Sequence, residues 1–194
     1  MSERRVSAIV LAGGRSRRFG RDKLAEPIDG RPLLHHAIDS VRPFASEVLV
    51  VVAPDALPAV PPDVLVVHDS SPFEGPLAGL LAGLGAAREP TVLVTGGDMP
   101  ELMSQVAEAL LAGLDATGKE AAVLFHAGQV RPLPMAIRRN PAVAAAARLI
   151  EAGERRLRAL TDALATTVIA EATWRALDPD GRTMRDIDTP DDLR

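Results

Sequence analysis

The sequence predicts a single three-layer α/β/α domain built on a mostly parallel sheet. Three observations predict it. Short apolar runs alternate with helix-like stretches along the whole chain. Two of those runs, Val48-Leu49-Val50-Val51-Val52 and Val92-Leu93-Val94, are continuous and not alternating. That is the mark of strands covered on both faces, as in a parallel sheet. The connections are short, and 194 residues suffice for one domain with a real core.

The elements follow in order. Strands are expected at Val6–Leu11, Glu47–Ala53, Val64–His68, Thr91–Thr95, Ala121–His126, Pro134–Arg138 and Thr167–Ala170. Helices are expected at Pro32–Val41, Pro76–Arg88, Glu101–Leu114, Pro141–Ala152 and Arg155–Ala165, with Pro32 and Pro76 as first-turn prolines. The stretch 53–63 carries four prolines and reads as a loop around the sheet edge, because an apolar pattern resumes directly after it. In a doubly wound sheet, ligands bind beyond the carboxyl ends of the strands. The residues just after each strand are therefore the ones to inspect.

Composition narrows the function. The chain has no cysteine, which excludes disulfides, zinc–thiolate sites and thiol nucleophiles and fits a cytoplasmic location. No run reaches the roughly 18 apolar residues of a membrane span, and residues 1–11 are wrongly ordered for a signal peptide. A net charge of −4 argues against a nucleic-acid partner. Aromatics are confined to Phe19, Phe44, Phe73, Phe125 and Trp174, too few for a base-stacking platform. His35, His36, His68 and His126 show no metal-ligand spacing and read as structural or solvent-exposed.

Against that acidic background, residues 1–24 hold seven Lys or Arg and two acids. The first strand opens into Leu11-Ala12-Gly13-Gly14-Arg15-Ser16-Arg17-Arg18-Phe19-Gly20-Arg21-Asp22-Lys23. Glycines let backbone N–H groups approach phosphate oxygens, and fixed cations offset the ligand's charge. Lys23 and Lys119 are the only lysines among 22 basic residues, so a lysine inside this loop points to a compact ammonium on a phosphate. The loop matches neither the Walker motif nor the dinucleotide fingerprint.

This loop resembles the LAGG-x-S-x-R-[MF]-G-x-D-K signature of nucleotidyltransferases, and specifically of the molybdenum cofactor guanylyltransferase family. The resemblance continues through Gly30-Arg31-Pro32-Leu33, Asp69 with Gly75-Pro76-Leu77-Ala78-Gly79, and Gly97-Asp98-Met99-Pro100. It extends to Ala152-Gly153-Glu154-Arg155-Arg156 and to residues 187–193. It implies a Rossmann-like nucleotidyltransferase domain over residues 1–194. The nucleotide-binding part would be about 1–100 and the acceptor-binding part about 101–194. The implied activity joins GMP from GTP to the phosphate of molybdopterin, releasing pyrophosphate and forming the guanine dinucleotide cofactor. The product would then pass through transient contacts to cofactor-inserting proteins and molybdoenzymes.

The resemblance also distributes roles. Leu11, Ala12, Gly13, Gly14, Lys23, Asp69 and Asp98 would bind the nucleotide. Lys23 and Arg18 would stabilise the leaving pyrophosphate, with Arg15 a weaker candidate and Arg17 and Arg21 solvated. Asp98, at the carboxyl end of a strand, would hold Mg²⁺, a hard cation that takes oxygen ligands. Asp188 reads equally as a second metal ligand and as turn chemistry in Asp186-Ile187-Asp188-Thr189-Pro190. Asp69 reads as a contact to guanosine or as a turn cap. Arg155 and Arg156 would receive the acceptor phosphate, and Arg131–Pro134 would border the same cleft. Ala53 departs from the asparagine that the family often carries after its second strand. Gly13 leaves room for a purine edge where cytidine-specific relatives usually show Leu-Ala-Ala-Gly, which favours GTP over CTP. Two rivals remain: a cytidylyltransferase or other transferase to a phosphate acceptor, and a non-catalytic GTP-binding regulatory or adaptor protein.

Overall fold

The computed structural model describes residues 5–13, 23–69, 75–189 and 192. Among them, the strands are β1 (Val6–Leu11), β2 (Pro27–Ile28), β3 (Arg31–Pro32), β4 (Glu47–Val52) and β5 (Val64–His68), followed by β6 (Thr91–Gly96), β7 (Ala121–His126), β8 (Gln129–Arg138) and β9 (Thr166–Ile169). The helices are α1 (Leu33–Val41), α2 (Pro76–Ala86), α3 (Ser104–Thr117), α4 (Arg139–Glu151), α5 (Leu157–Ala163) and α6 (Glu171–Arg175). Seven strands form one sheet in the order β5-β4-β1-β6-β8-β7-β9, and β2 with β3 forms a separate ribbon. β1 runs parallel to β4 and β6, β4 to β5, and β7 to β9. β8 alone among these strands runs antiparallel to both neighbours, β6 and β7.

Alternate residues of each central strand enter opposite cores, as the continuous apolar runs require. Ala8, Val10, Val50 and Leu93 pack with Ile38 of α1 and Leu110 of α3 on one face. Ile9, Leu49, Val51 and Val94 pack with Leu80 of α2 and Leu160 of α5 on the other. A third, small cluster joins buried Leu33 and Ile187 to the partly buried Leu24 and Ile28. The expected three-layer α/β/α domain with a mostly parallel sheet is therefore the observed one.

The differences are local. Residues 129–133 belong to β8, although Pro132 and Pro134 argue against a ladder strand. The register with β7 jumps between Arg131 and Met135, and pairing with β6 begins only at Met135. The prolines thus sit where no ladder bond is asked of them. A two-residue turn at Ala127-Gly128, with φ of 50° and 81°, closes the β7–β8 hairpin. Pro32 is not in the first turn of α1 but extended before it, at ψ 139° within β3. α3 keeps the expected length but is shifted three residues on, to Ser104–Thr117, and α5 spans only Leu157–Ala163, shorter than the sequence expects. α6 and the β2–β3 ribbon are too short to give a periodic signal.

Candidate active site

The carboxyl ends of β1, β4, β5 and β6 form one rim, stitched by backbone bonds. Ala12 N–H donates to the Val51 carbonyl at 2.7 Å, Gly97 N–H to Leu11 at 2.9 Å, and Asp69 N–H to Val52 at 2.9 Å. Leu11 and Ala12 are half-buried in this rim, while Gly13 is exposed. Gly14, Arg15, Arg17, Arg18 and Arg21 lie outside the described residues.

Beyond β6 the chain doubles back tightly. A Cβ on Gly96 would stand 2.5 Å from Asp98 Oδ1, so only glycine lets the carboxylate fold over the strand end. Lys23, in a short 3₁₀ turn over residues 23–25, reaches the same point. Its Nζ donates to Asp98 Oδ2 at 2.8 Å, to the Ile187 carbonyl at 3.1 Å and to Asp188 Oδ1 at 3.2 Å. Burial alone would lower the Lys23 pKa, but the Asp98 and Asp188 carboxylates outweigh it and hold it above its ordinary value. The Ile187 N–H donates to the Asp98 carbonyl at 3.0 Å. Asp192 Oδ2 takes the N–H groups of Asp188 at 3.1 Å and Thr189 at 2.7 Å, which fixes the returning segment.

Asp186 joins this group. Its Oδ2 accepts a hydrogen bond from Arg131 Nη2 at 3.4 Å. Burial and the nearby Asp98 carboxylate raise its pKa, against the pull of Arg131 and Lys23. In extended backbone, residues two apart point to one side. The Asp-x-Asp spacing around the buried Ile187 could have flagged Asp186 from sequence.

The other expected residues stand apart from this cluster. Asp69 follows β5, and its Oδ2 lies 3.6 Å from where a Cβ on Gly79 would sit, over the first turns of α2. Arg155 is tied to α2 through its backbone. Its carbonyl accepts from Leu77 N–H at 3.2 Å, and a Cβ on Gly75 would lie 2.9 Å from Arg155 Cβ. Gly75 also has a φ of 91°, which glycine adopts without strain. The Arg155 guanidinium turns onto the carbonyls of Glu154 at 2.9 Å and Ile150 at 3.1 Å. The Arg156 side chain, 80% exposed, pairs with Glu154 at 2.7 Å. Glu154 Oε1 also accepts the N–H groups of Arg155 and Arg156. Hydrogen bonds from Arg156, then from the Arg155 amide, bring the Glu154 pKa down to about 2.

This mixed sheet, with an ammonium–carboxylate cluster beyond its central strands, belongs to a nucleotidyltransferase by its family match. Residues 8–168 match the model of the MobA-like NTP transferase domain. A Chloroflexus aggregans protein named "probable molybdenum cofactor guanylyltransferase" is 38% identical over 198 aligned residues, covering 97% of this chain and 92% of its own. A molybdenum cofactor guanylyltransferase of Burkholderia lata is 36% identical, covering 79% of this chain and 80% of its own. Among solved structures, molybdopterin-guanine dinucleotide biosynthesis protein A from Archaeoglobus fulgidus superposes with a TM-score of 0.80 at 23% identity, over 96% of this chain and 94% of that one. A 2-C-methyl-D-erythritol 4-phosphate cytidylyltransferase from Thermus thermophilus gives 0.68 at 20% identity, over 95% and 94%. The chain belongs to the MobA-like NTP transferases, in the family of the molybdenum cofactor guanylyltransferases.

Proposed function

We propose that this chain transfers GMP from GTP to the terminal phosphate of molybdopterin, releasing pyrophosphate and forming the guanine dinucleotide cofactor. The observation that carries the reading is the meeting of Lys23, Asp98 and Asp188 at the carboxyl ends of β1 and β6 in a member of this family. The acceptor phosphate is already an anion, so its attack on the α-phosphorus needs no strong base. Catalysis is then positioning and charge neutralisation. Lys23 offsets charge on the leaving pyrophosphate, with Arg18 as its expected companion. Gly13 and Gly14 let the nucleotide approach the rim, and the room at Gly13 favours guanine. Asp69 marks the nucleoside end. β5 and β6 are separated by β4 and β1, so Asp69 and Asp98 are roughly 14 Å apart along the rim, a span that suits an extended nucleotide. Residues 1–100 supply most of the nucleotide side and residues 101–194 the acceptor side, with Asp188 returning to the junction.

A divalent metal fits this cluster. The three oxygens that hold the Lys23 ammonium are hard ligands within reach of one cation. Among the described residues no three His, Asp or Glu side chains gather around a metal position. Mg²⁺ is commonly held by one or two carboxylates, with water and substrate phosphate completing its shell. Asp98 and Asp188 would hold it, and bound there it would supply positive charge to phosphate oxygens. No helix among the described residues is long and apolar enough to cross a membrane. A cytoplasmic enzyme handing its product to cofactor-inserting proteins and molybdoenzymes accords with this.

The test is pyrophosphate release from GTP, Mg²⁺ and molybdopterin, run beside CTP. Release with GTP and not with CTP is the expected result. Release only with CTP makes the chain a cytidylyltransferase. GTP binding without pyrophosphate makes it a non-catalytic GTP-binding protein.

A further inference from the structure

The guanidinium groups that the sequence offers to the acceptor phosphate are engaged within their own segment: Arg155 on two carbonyls and Arg156 on Glu154. A guanidinium reaches the edge of the Lys23–Asp98–Asp188 cluster instead from β8, through Asp186. Met135 pairs with Val94 across the antiparallel ladder. Arg131 pairs with Leu124 of β7 on the far side of the register jump from Met135, and it reaches the cluster through Asp186, on which the Asp98 charge acts. Because β8 runs against its neighbours, its first half lies at the rim where β1 and β6 end.

Arg131 makes one polar contact there, the 3.4 Å bond to Asp186, and its side chain is 31% exposed. That bond is longer than the 2.7–3.2 Å typical of N–H···O, and a guanidinium carries five N–H donors. Most of its donor capacity is therefore open to another oxyanion. Among the described residues, three carboxylates (Asp98, Asp186, Asp188) face two cations (Lys23, Arg131) in this corner. A cation that turns to an incoming phosphate offsets its charge. A bidentate fork on phosphate is shorter and stronger than a single long bond to a carboxylate.

We propose that Arg131 binds the acceptor's phosphate, and that Asp186 is its positioning residue, holding the guanidinium at the edge of the Lys23–Asp98–Asp188 cluster until the phosphate takes the carboxylate's place. This rests on the guanylyl-transfer reading above. It assigns the acceptor end of the site to a residue on β8 and not to the Glu154-Arg155-Arg156 segment.

The test is steady-state kinetics of the full chain with Mg²⁺, GTP and molybdopterin, varying each substrate in turn. Arg131→Ala is expected to raise the acceptor KM roughly ten- to hundred-fold and to leave the GTP KM at the parent value. Arg131→Lys restores part of the loss, because it returns the charge without the fork. Asp186→Asn shifts the acceptor KM less than Arg131→Ala does, and again leaves the GTP KM alone. An acceptor KM unchanged by Arg131→Ala overturns the proposal. So does a parallel rise of both KM values with a fall in Tm, which is the sign of a structural role. If the alanine variant does not fold, Arg131→Gln is judged by the same split. Failure of the parent chain to transfer GMP at all would overturn the function itself, an outcome distinct from transfer that ignores Arg131.

Discussion

Gly13 is a glycine that packing among the described residues does not require. Among the described residues, a Cβ there would meet only the Ala53 nitrogen, at the ordinary contact distance of 3.9 Å, and its φ is not among the positive ones. On the proposed reading the space serves the nucleotide. Gly13→Ala should leave Tm within about 1–2 °C of the parent, while the GTP KM rises roughly ten-fold. A melt shifted by several degrees with an unchanged KM would show that the site lies elsewhere. Lys23 is the contrasting residue, bound on three sides by oxygen. Its carboxylate partners are 33% and 54% exposed, so Lys23→Ala should cost only about 1 kcal/mol of stability. Turnover should fall on the order of 100-fold, the scale of one lost electrostatic stabiliser. Because the ammonium occupies the position that suits a cation, the same variant should bind Mn²⁺ more tightly than the parent in the absence of nucleotide. Calorimetry on the nucleotide-free protein reads this directly, and weaker Mn²⁺ binding would remove Lys23 from the cation's position.

At the scale of elements, the link between α4 and α5 is a clasp built by Glu154 on the next two residues. Its carboxyl is held at about 2, below the ordinary 4.5. A depressed acid contributes stability that is complete above the unfolded pKa and is lost as pH falls through the folded one. Glu154→Gln should therefore melt below the parent above pH 4.5, with the gap closing as pH falls toward about 2. A gap independent of pH would mean that the charge is not what closes the clasp. The same segment shows what sequence can and cannot deliver. Central strands were legible because burial on both faces writes an unbroken apolar run, as in Val48–Val52. The first half of β8 was hidden because Pro132 and Pro134 break the local rule, and only the register jump beside them makes them harmless. The pairing of Lys23 with Asp98 and Asp188 was not legible as a contact, although all three residues could be named. The engagement of Arg155 with two carbonyls was invisible, since it depends on where α4 ends.

For the whole molecule, Lys23, Asp98 and Asp188 meet only when the complete domain is folded, since 75 and 165 residues separate Lys23 from its two partners. Ile187 is the residue that couples the site to the fold. Its side chain is fully buried against Leu33, with Leu24 and Ile28 packed around the pair. Its backbone faces the other way chemically, its N–H on the Asp98 carbonyl and its own carbonyl on Lys23. Ile187→Ala should cost about 2–4 kcal/mol through the cavity it leaves. It should also loosen both backbone anchors, so kcat measured well below the variant's Tm falls at least several-fold. GTP with Mg²⁺ should stabilise the parent by about 2.7 kcal/mol at a hundred times Kd, and so raise its Tm, if the nucleotide binds the assembled cluster as proposed. The variant should show a smaller ligand-induced shift at the same concentrations. A variant that melts earlier but keeps parental kcat and a parental ligand shift would confine Ile187 to packing. The site would then be independent of the segment that brings Asp188 to it.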